Sequence, residues 1–198
     1  QVFITREGMA TADNDRFLRF WNEVAYDRIT FDCSAAGESV TRNVKWVPYN
    51  KGGAIRDWYG NNDYVVDWYL DGAEIKNNAD PKTGRIRSHN YNGEYGFKEG
   101  LTWSAISSGR LSVRYTEKGF LFDSKGAKGF ANKNGNKYWI LALLNSKVSM
   151  QFLKFFSPTL DFKVGDVIQI PFVDRKNDEE KVTKFSKDCV SLSKSDWD

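Results

Sequence analysis

The sequence predicts an α+β fold, in which a mixed or antiparallel twisted sheet is built first and a helical hairpin comes late in the chain. Three observations predict it. Short aromatic and β-branched runs broken by glycine, asparagine and aspartate fill the first two thirds of the chain. Residues 137–156 instead place Ile140, Leu141, Leu144, Val148, Phe152 and Phe155 at three- and four-residue steps, the period of a helix. A length of 198 residues is enough for one sizeable core, and no internal repeat stands out.

Taken in order, "VFITREG" reads as a strand and Asp13, Asn14 and Asp15 as a polar turn. "FLRFWNEV" fits a helical stripe through Phe17, Phe20, Trp21 and Val24, or a strand through Leu18, Phe20 and Val24; its aromatic enrichment favours the strand. Residues 44–69 read as strands interrupted at Gly52-Gly53 and at Gly60-Asn61-Asn62, with Asp71-Gly72 closing the set. Residues 74–97 are polar and aperiodic, which predicts a long loop, and loops of that length inside a compact domain tend to be functional. "LTWSAISS" and "LSVRYT" predict a strand pair turning near Gly109-Arg110. "GFLFDSKGAKGFANKNGN" predicts a short strand and then a Gly/Lys/Asn loop.

The helical region from Lys137 is expected to divide at Asn145-Ser146, with Ser146 capping the second helix and Pro158 stopping it. "FKVGDVIQIPFV" predicts a return to a strand, and the last twenty-five residues a short helix or a frayed tail. Residues 1–173 are therefore assigned to one domain and 174–198 to a charged C-terminal extension, part helix or tail. The chain opens at Gln1 within a strand-like run, which reads as a piece of something longer.

Composition narrows the chemistry. Aromatic residues make up 15% of the chain, more than packing alone asks for. The formal net charge is only +3, yet residues 40–173 carry nineteen Lys and Arg against twelve Asp and Glu, a basic middle suited to a polyanion. Cys33 and Cys189 stand alone, so neither a disulfide framework nor a zinc site is expected, and a reducing, cytoplasmic setting fits best. No apolar run is long enough to span a membrane.

With His89 as its single histidine, the chain offers no nucleophilic triad and no histidine metal cluster. No P-loop and no Gly-x-Gly pair occurs, so a bound nucleotide or S-adenosylmethionine is not expected within these residues. Pro48, Pro81, Pro158 and Pro171 are nowhere adjacent, which removes the Asn-Pro-Pro-aromatic motif of amino-methylating enzymes. Asp63 or Asp67 with Glu74 and Lys76 matches the Asp and Glu-x-Lys pattern of a metal-dependent nuclease on paper. A carbohydrate-binding tryptophan platform fits the basic bias poorly.

A binding surface remains. Contact with nucleic acid asks for cations toward phosphates, forked polar groups toward base edges and flat rings toward bases. Lys51, Arg56, Arg85, Arg87, Arg110, Arg114, Lys125 and Lys128 supply charge, while Asn50, Trp58, Tyr59, His89, Asn90 and Tyr91 supply polar or flat contacts. Within "WVPYNKGGAIRDWYGNNDYVVDWYLDG", Trp46, Tyr49, Tyr64 and Trp68 fall on strand positions and read as core. Asn50, Lys51, Arg56, Trp58 and Tyr59 flank the turns and read as the edge facing DNA.

"TADNDRFLRFWNEV", "KWVPYNKGGAIRDWYGNNDYVVDWYLDGAEIKN", "FKEGLTWSAISSGRLSVRYTEKGFLFD" and "KYWILALLNSKVSMQFLKFFSPTLDFKVGDVIQIPF" together resemble the C-terminal part of large adenine-specific DNA methyltransferases. The resemblance is to the PglX methyltransferases of BREX phage-defence systems and to type IIG restriction-modification enzymes, and it runs to about residue 173. It implies a target recognition domain, similar to those of type I specificity subunits, that reads duplex DNA and is not catalytic alone. The family turn reads Thr-Gly-Asp-Asn where this chain has Ala12. The resemblance further implies an N-terminal methyltransferase domain that carries S-adenosylmethionine and flips the target adenine. Double-stranded DNA, that domain and other defence-system subunits are the partners it implies.

Overall fold

The structure, a computed structural model, describes residues 2–35, 37–107, 109–156, 159, 161–172 and 176–197. Pro158, expected to stop a helix, and the junction between residues 173 and 174 lie outside the described residues. The strands are β1 (Phe3–Arg6), β2 (Met9–Ala10), β3 (Leu18–Phe20), β4 (Trp46–Asn50), β5 (Tyr64–Asp67), β6 (His89–Asn90), β7 (Gly100–Trp103), β8 (Val113–Thr116), β9 (Leu121–Phe122) and β10 (Lys128–Ala131). The helices are α1 (Asn14–Phe17), α2 (Glu38–Thr41), α3 (Tyr69–Lys76), α4 (Lys137–Leu144), α5 (Lys147–Phe156), α6 (Val164–Val167) and α7 (Lys176–Trp197).

The fold is α+β. One four-stranded sheet runs β1-β10-β7-β8 with every pair antiparallel, and a second runs β3-β5-β4-β9 with β4 and β9 parallel. A short ribbon joins β2 to β6. β7 is buried on all four residues because the antiparallel sheet is covered by the helices: Leu101 and Trp103 share a core with Ile140, Leu141, Leu144, Leu153 and Val190. The Trp103 indole N–H, which would be costly to leave unpaired there, donates to the Phe162 carbonyl at 2.9 Å. A separate core beneath the mixed sheet gathers Phe17, Leu18, Val47, Tyr49, Val66, Trp68 and Phe97.

The helical hairpin forms as its period requires. Asn136 caps α4 by accepting from the Tyr138 and Trp139 amides. The chain breaks at Asn145-Ser146, and Ser146 Oγ accepts from the Ser149 amide at 3.2 Å, the expected cap of α5.

Four expectations are corrected. Residues 128–131, expected in a Gly/Lys/Asn loop, form β10 between β1 and β7, because Gly126 and Gly129 let backbones approach where a side chain would collide with Asn50, Lys51 or Phe3. Residues 162–172 do not return to a strand: Val167 and Ile170, three apart, both enter the core from α6 and the turn after it, which is helical spacing. Residues 51–63 hold no strand, and the isolated β-bridge they make joins Trp58 to Arg114. The C-terminal residues form a 22-residue helix, α7, neither short nor frayed, which lies on α4 and buries Val190. The break at Asp71-Gly72 is realised as left-handed backbone at Leu70, Asp71 and Gly72 within α3.

Candidate nucleic-acid interface

The expected long loop contains an ordered arm between residues 79 and 91. Its base is a bridge between Ala79 and Ile86, with the Asp80 amide donating to the Arg85 carbonyl and the Arg87 amide to the Asn78 carbonyl, each at 2.8 Å. The Asp80 carboxylate accepts from the Lys82 and Thr83 amides and from the Thr83 hydroxyl, and those bonds hold its pKa below the usual value. Below the turn, Ser88 is buried with its hydroxyl on the Ile75 carbonyl, and β6 pairs with β2. The arm is thus tied down at both ends, and its backbone polar groups are largely satisfied within the protein.

Arg85, Arg87, His89 and Tyr91 follow one another at every second residue along this extended stretch, so they share one side. All four are exposed, as are Lys82 and Asn90. The His89 and Tyr91 rings stack, with centroids 5.1 Å apart and planes 5° from parallel. Among the described residues no hydrogen bond or ion pair engages the Arg85 or Arg87 guanidinium, and Arg87 exerts a longer-range attraction on Asp80. Two free cations beside a flat aromatic pair can meet phosphates and a base or sugar face together. Lys82 was not singled out from the sequence, although its place in an Asp-Pro-Lys-Thr-Gly turn is the signal that would have found it.

The other expected contact residues are not gathered there. Asn50 is buried on β4, with Oδ1 accepting from the Thr116 hydroxyl at 3.0 Å. Tyr59 is buried in the core. Lys128 is wholly buried on β10 with Nζ over the Phe122 and Phe130 rings, and burial pushes its pKa down to about 7. Arg114 is buried too, and burial pushes it down to about 10. The structure thus corrects the surface expectation for these four: Asn50, Arg114 and Lys128 sit on strands whose residues are nearly all buried, and Tyr59 packs in the core.

Three further cations are committed to internal partners. Lys51 meets Asp123 at 2.6 Å, Arg56 meets Asp196 at 2.6 Å with its guanidinium over the Trp197 ring, and Arg110 meets Asp57. Trp58 is half-buried against the core and has a left-handed backbone, so it offers no free platform. Lys125 is exposed and only loosely approached by Asp161, at 3.9 Å. The Lys-Gly-Gly turn lies against the chain near Gly126, and the Gly53 carbonyl accepts from Ser104 Oγ at 2.8 Å, so it serves the contact between the two sheets.

The nuclease pattern does not assemble. Glu74 and Lys76 lie on helix α3 instead of a strand, and two residues apart on a helix they point to different sides. Asp67 pairs with Lys45, Glu74 with Arg16 and Lys76 with Asp71, so each group has a different partner. Among the described residues no cluster of three or more His, Cys, Asp or Glu could hold a metal ion.

No protein-family model matches the chain. It is 48% identical over 196 residues to the adenine-specific methyltransferase PglX of Lacticaseibacillus casei (strain Zhang), covering 99% of this chain and 16% of that protein. The chain is homologous to one segment of the PglX/BrxX adenine-specific methyltransferases. The adenine-specific methyltransferase BrxX of Escherichia coli O9:H4 (strain HS) is 36% identical over 185 residues, covering 92% of this chain and 14% of BrxX. The chain therefore spans only 16% of the length of PglX and 14% of that of BrxX. Among the described residues no helix is long and apolar enough to cross a membrane.

Proposed function

We propose that this segment is a DNA-recognition domain of a PglX/BrxX-type adenine methyltransferase of BREX phage defence, and that it grips duplex DNA through the arm at residues 79–91. One observation carries the reading: Arg85 and Arg87 have no ion-pair partner among the described residues and stand beside the stacked His89–Tyr91 pair on an arm held at both ends, whereas Lys51, Arg56 and Arg110 are bound to carboxylates of the same chain. In this reading S-adenosylmethionine and the transfer of methyl to an adenine amino group belong to the rest of the parent protein. The partners are double-stranded DNA, the parent's own methyltransferase domain and other defence-system subunits.

Fluorescence anisotropy of a labelled duplex, titrated at several salt concentrations, tests the proposal. Each lost phosphate contact should lower the slope of log K against log salt by about 0.9, so Arg85→Ala with Arg87→Ala should lower it by up to about 2. An unchanged slope in the double variant, with the fold intact, would overturn the arm as the contact surface.

A further inference from the structure

A cleft of about 630 Å³ opens on the mixed sheet, on the side where the chain turns through two single 3₁₀ turns at Trp21–Glu23 and Tyr26–Arg28. Its walls are Trp21, Tyr26, Phe31, Tyr64, Phe120 and Trp197. Trp21 is 49%, Tyr26 69% and Phe31 43% exposed, so these rings are held out of either core. The Tyr26 and Phe31 rings meet at 5.3 Å, and Tyr64 is backed by Phe20 stacked at 4.8 Å. Trp197 is fixed from behind by the Arg56 guanidinium, 4.8 Å from its ring centre.

The charges of the cleft are unequally balanced. Glu117 is paired with Lys194 at 2.7 Å, and Lys118 is exposed and attracted toward Glu99. Arg56 attracts Asp63 from a distance, but its guanidinium hydrogen-bonds Asp196 and the Tyr59 carbonyl. The Asp63 carboxylate has no hydrogen bond or ion pair from any described side chain, and its partly dry surroundings raise its pKa. An organic cation would find aromatic faces and an unmatched carboxylate at once.

We propose that this cleft binds a small organic cation, an alkylammonium group held against the Trp21, Tyr26 and Phe31 faces and paired with Asp63. The group would come from a free amine or from a lysine side chain of a polypeptide. The site is separate from the arm proposed to grip DNA, and its test does not depend on DNA binding.

Isothermal titration calorimetry on the intact protein tests this with choline, with its uncharged isostere 3,3-dimethyl-1-butanol and with N-acetyl-lysine methylamide. Choline or the lysine derivative should bind at least tenfold more tightly than the isostere, and whichever binds better identifies the source of the cation. Asp63→Asn should weaken that ligand about tenfold, and Trp21→Ala at least fivefold, with unchanged thermal melting. Equal affinity for choline, the lysine derivative and the isostere in the unmodified protein would overturn the proposal, as would full cation affinity in a folded Asp63→Asn variant.

Discussion

The Arg110 guanidinium grips Asp57 through both of its terminal nitrogens, Nη1 to Oδ1 at 2.7 Å and Nη2 to Oδ2 at 2.6 Å. Hydrogen bonding to Asp57 raises the Arg110 pKa further above its already high value. The pair ties the loop after Gly53 to the turn before β8, and the same loop is held to α7 where Ser193 Oγ donates to the Asp57 carbonyl at 3.2 Å. Arg110 is therefore a brace and not a free cation. With side chains 42% and 25% exposed, a coupling of about 1 kcal/mol is expected from a double-mutant cycle of Arg110→Ala and Asp57→Ala. Arg110→Ala should lower the melting temperature by about 2–4 °C and leave the salt slope of duplex binding unchanged.

Lys128 predicts a pH dependence of stability. Its amine is wholly buried and has no hydrogen-bond partner among the described residues, and burial pushes its pKa to about 7 from an unfolded value near 10.5. Between those values the unfolded chain holds the proton and the folded one has lost it, so stability rises with pH through that window. Below about pH 7 and above about 10.5 this contribution is flat. The rise is at most about 1.4 kcal/mol per pH unit. Urea unfolding at pH 7.5 and 9.5 should show that slope, and Lys128→Met should remove it while raising stability at the lower pH.

Much of the fold was legible because its signals are local. The three- and four-residue steps from Ile140 to Phe155, the Asn145-Ser146 break and the antiparallel pair around Gly109 each need only neighbouring residues to be read. What was hidden depends on distant contacts. Lys128 and Gly129 look like loop residues until β1 and β7 close over them, and Val164 to Ile170 looks like a strand until Val167 and Ile170 enter the same core. The candidate interface divides on the same line. Arg85, Arg87, His89 and Tyr91 are named from the sequence within a stretch read as an aperiodic loop, and the structure places them on an exposed arm. Whether a cation such as Lys51 or Arg56 is free depends on Asp123 and Asp196, which lie 72 and 140 positions away.

Asn136 performs two tasks with one side chain. Its oxygen caps α4, and its amide donates to Glu179 Oε1 at 3.0 Å and Thr183 Oγ1 at 2.7 Å, which fastens α7. Asn136→Ala should cost about 1–2 kcal/mol. Hydrogen exchange should quicken around Thr183 as well as in the first turn of α4. Asn136→Asp keeps the cap oxygen but loses both donors and brings a carboxylate to Glu179, so its exchange should quicken in α7 alone.

Gly119 holds a constrained turn between Lys118 and Phe120, which line the aromatic cleft. Its φ of +93° is one that residues with a side chain rarely adopt, and a Cβ there would meet the Phe31 carbonyl oxygen and carbon. The turn is also pinned by the Gly119 amide on the Phe97 carbonyl at 2.9 Å and the Phe97 amide on the Phe120 carbonyl at 3.0 Å, so it has little room to retreat. Gly119→Ala should therefore cost about 2 kcal/mol or more, backbone strain and collision adding together. Gly84, at φ +70° with nothing within 4 Å of an added Cβ, separates the two effects. Gly84→Ala should cost only about 1 kcal/mol, from conformation alone. Urea unfolding of the two variants should show the larger loss at Gly119, and equal losses would mean that the contact with Phe31 yields freely.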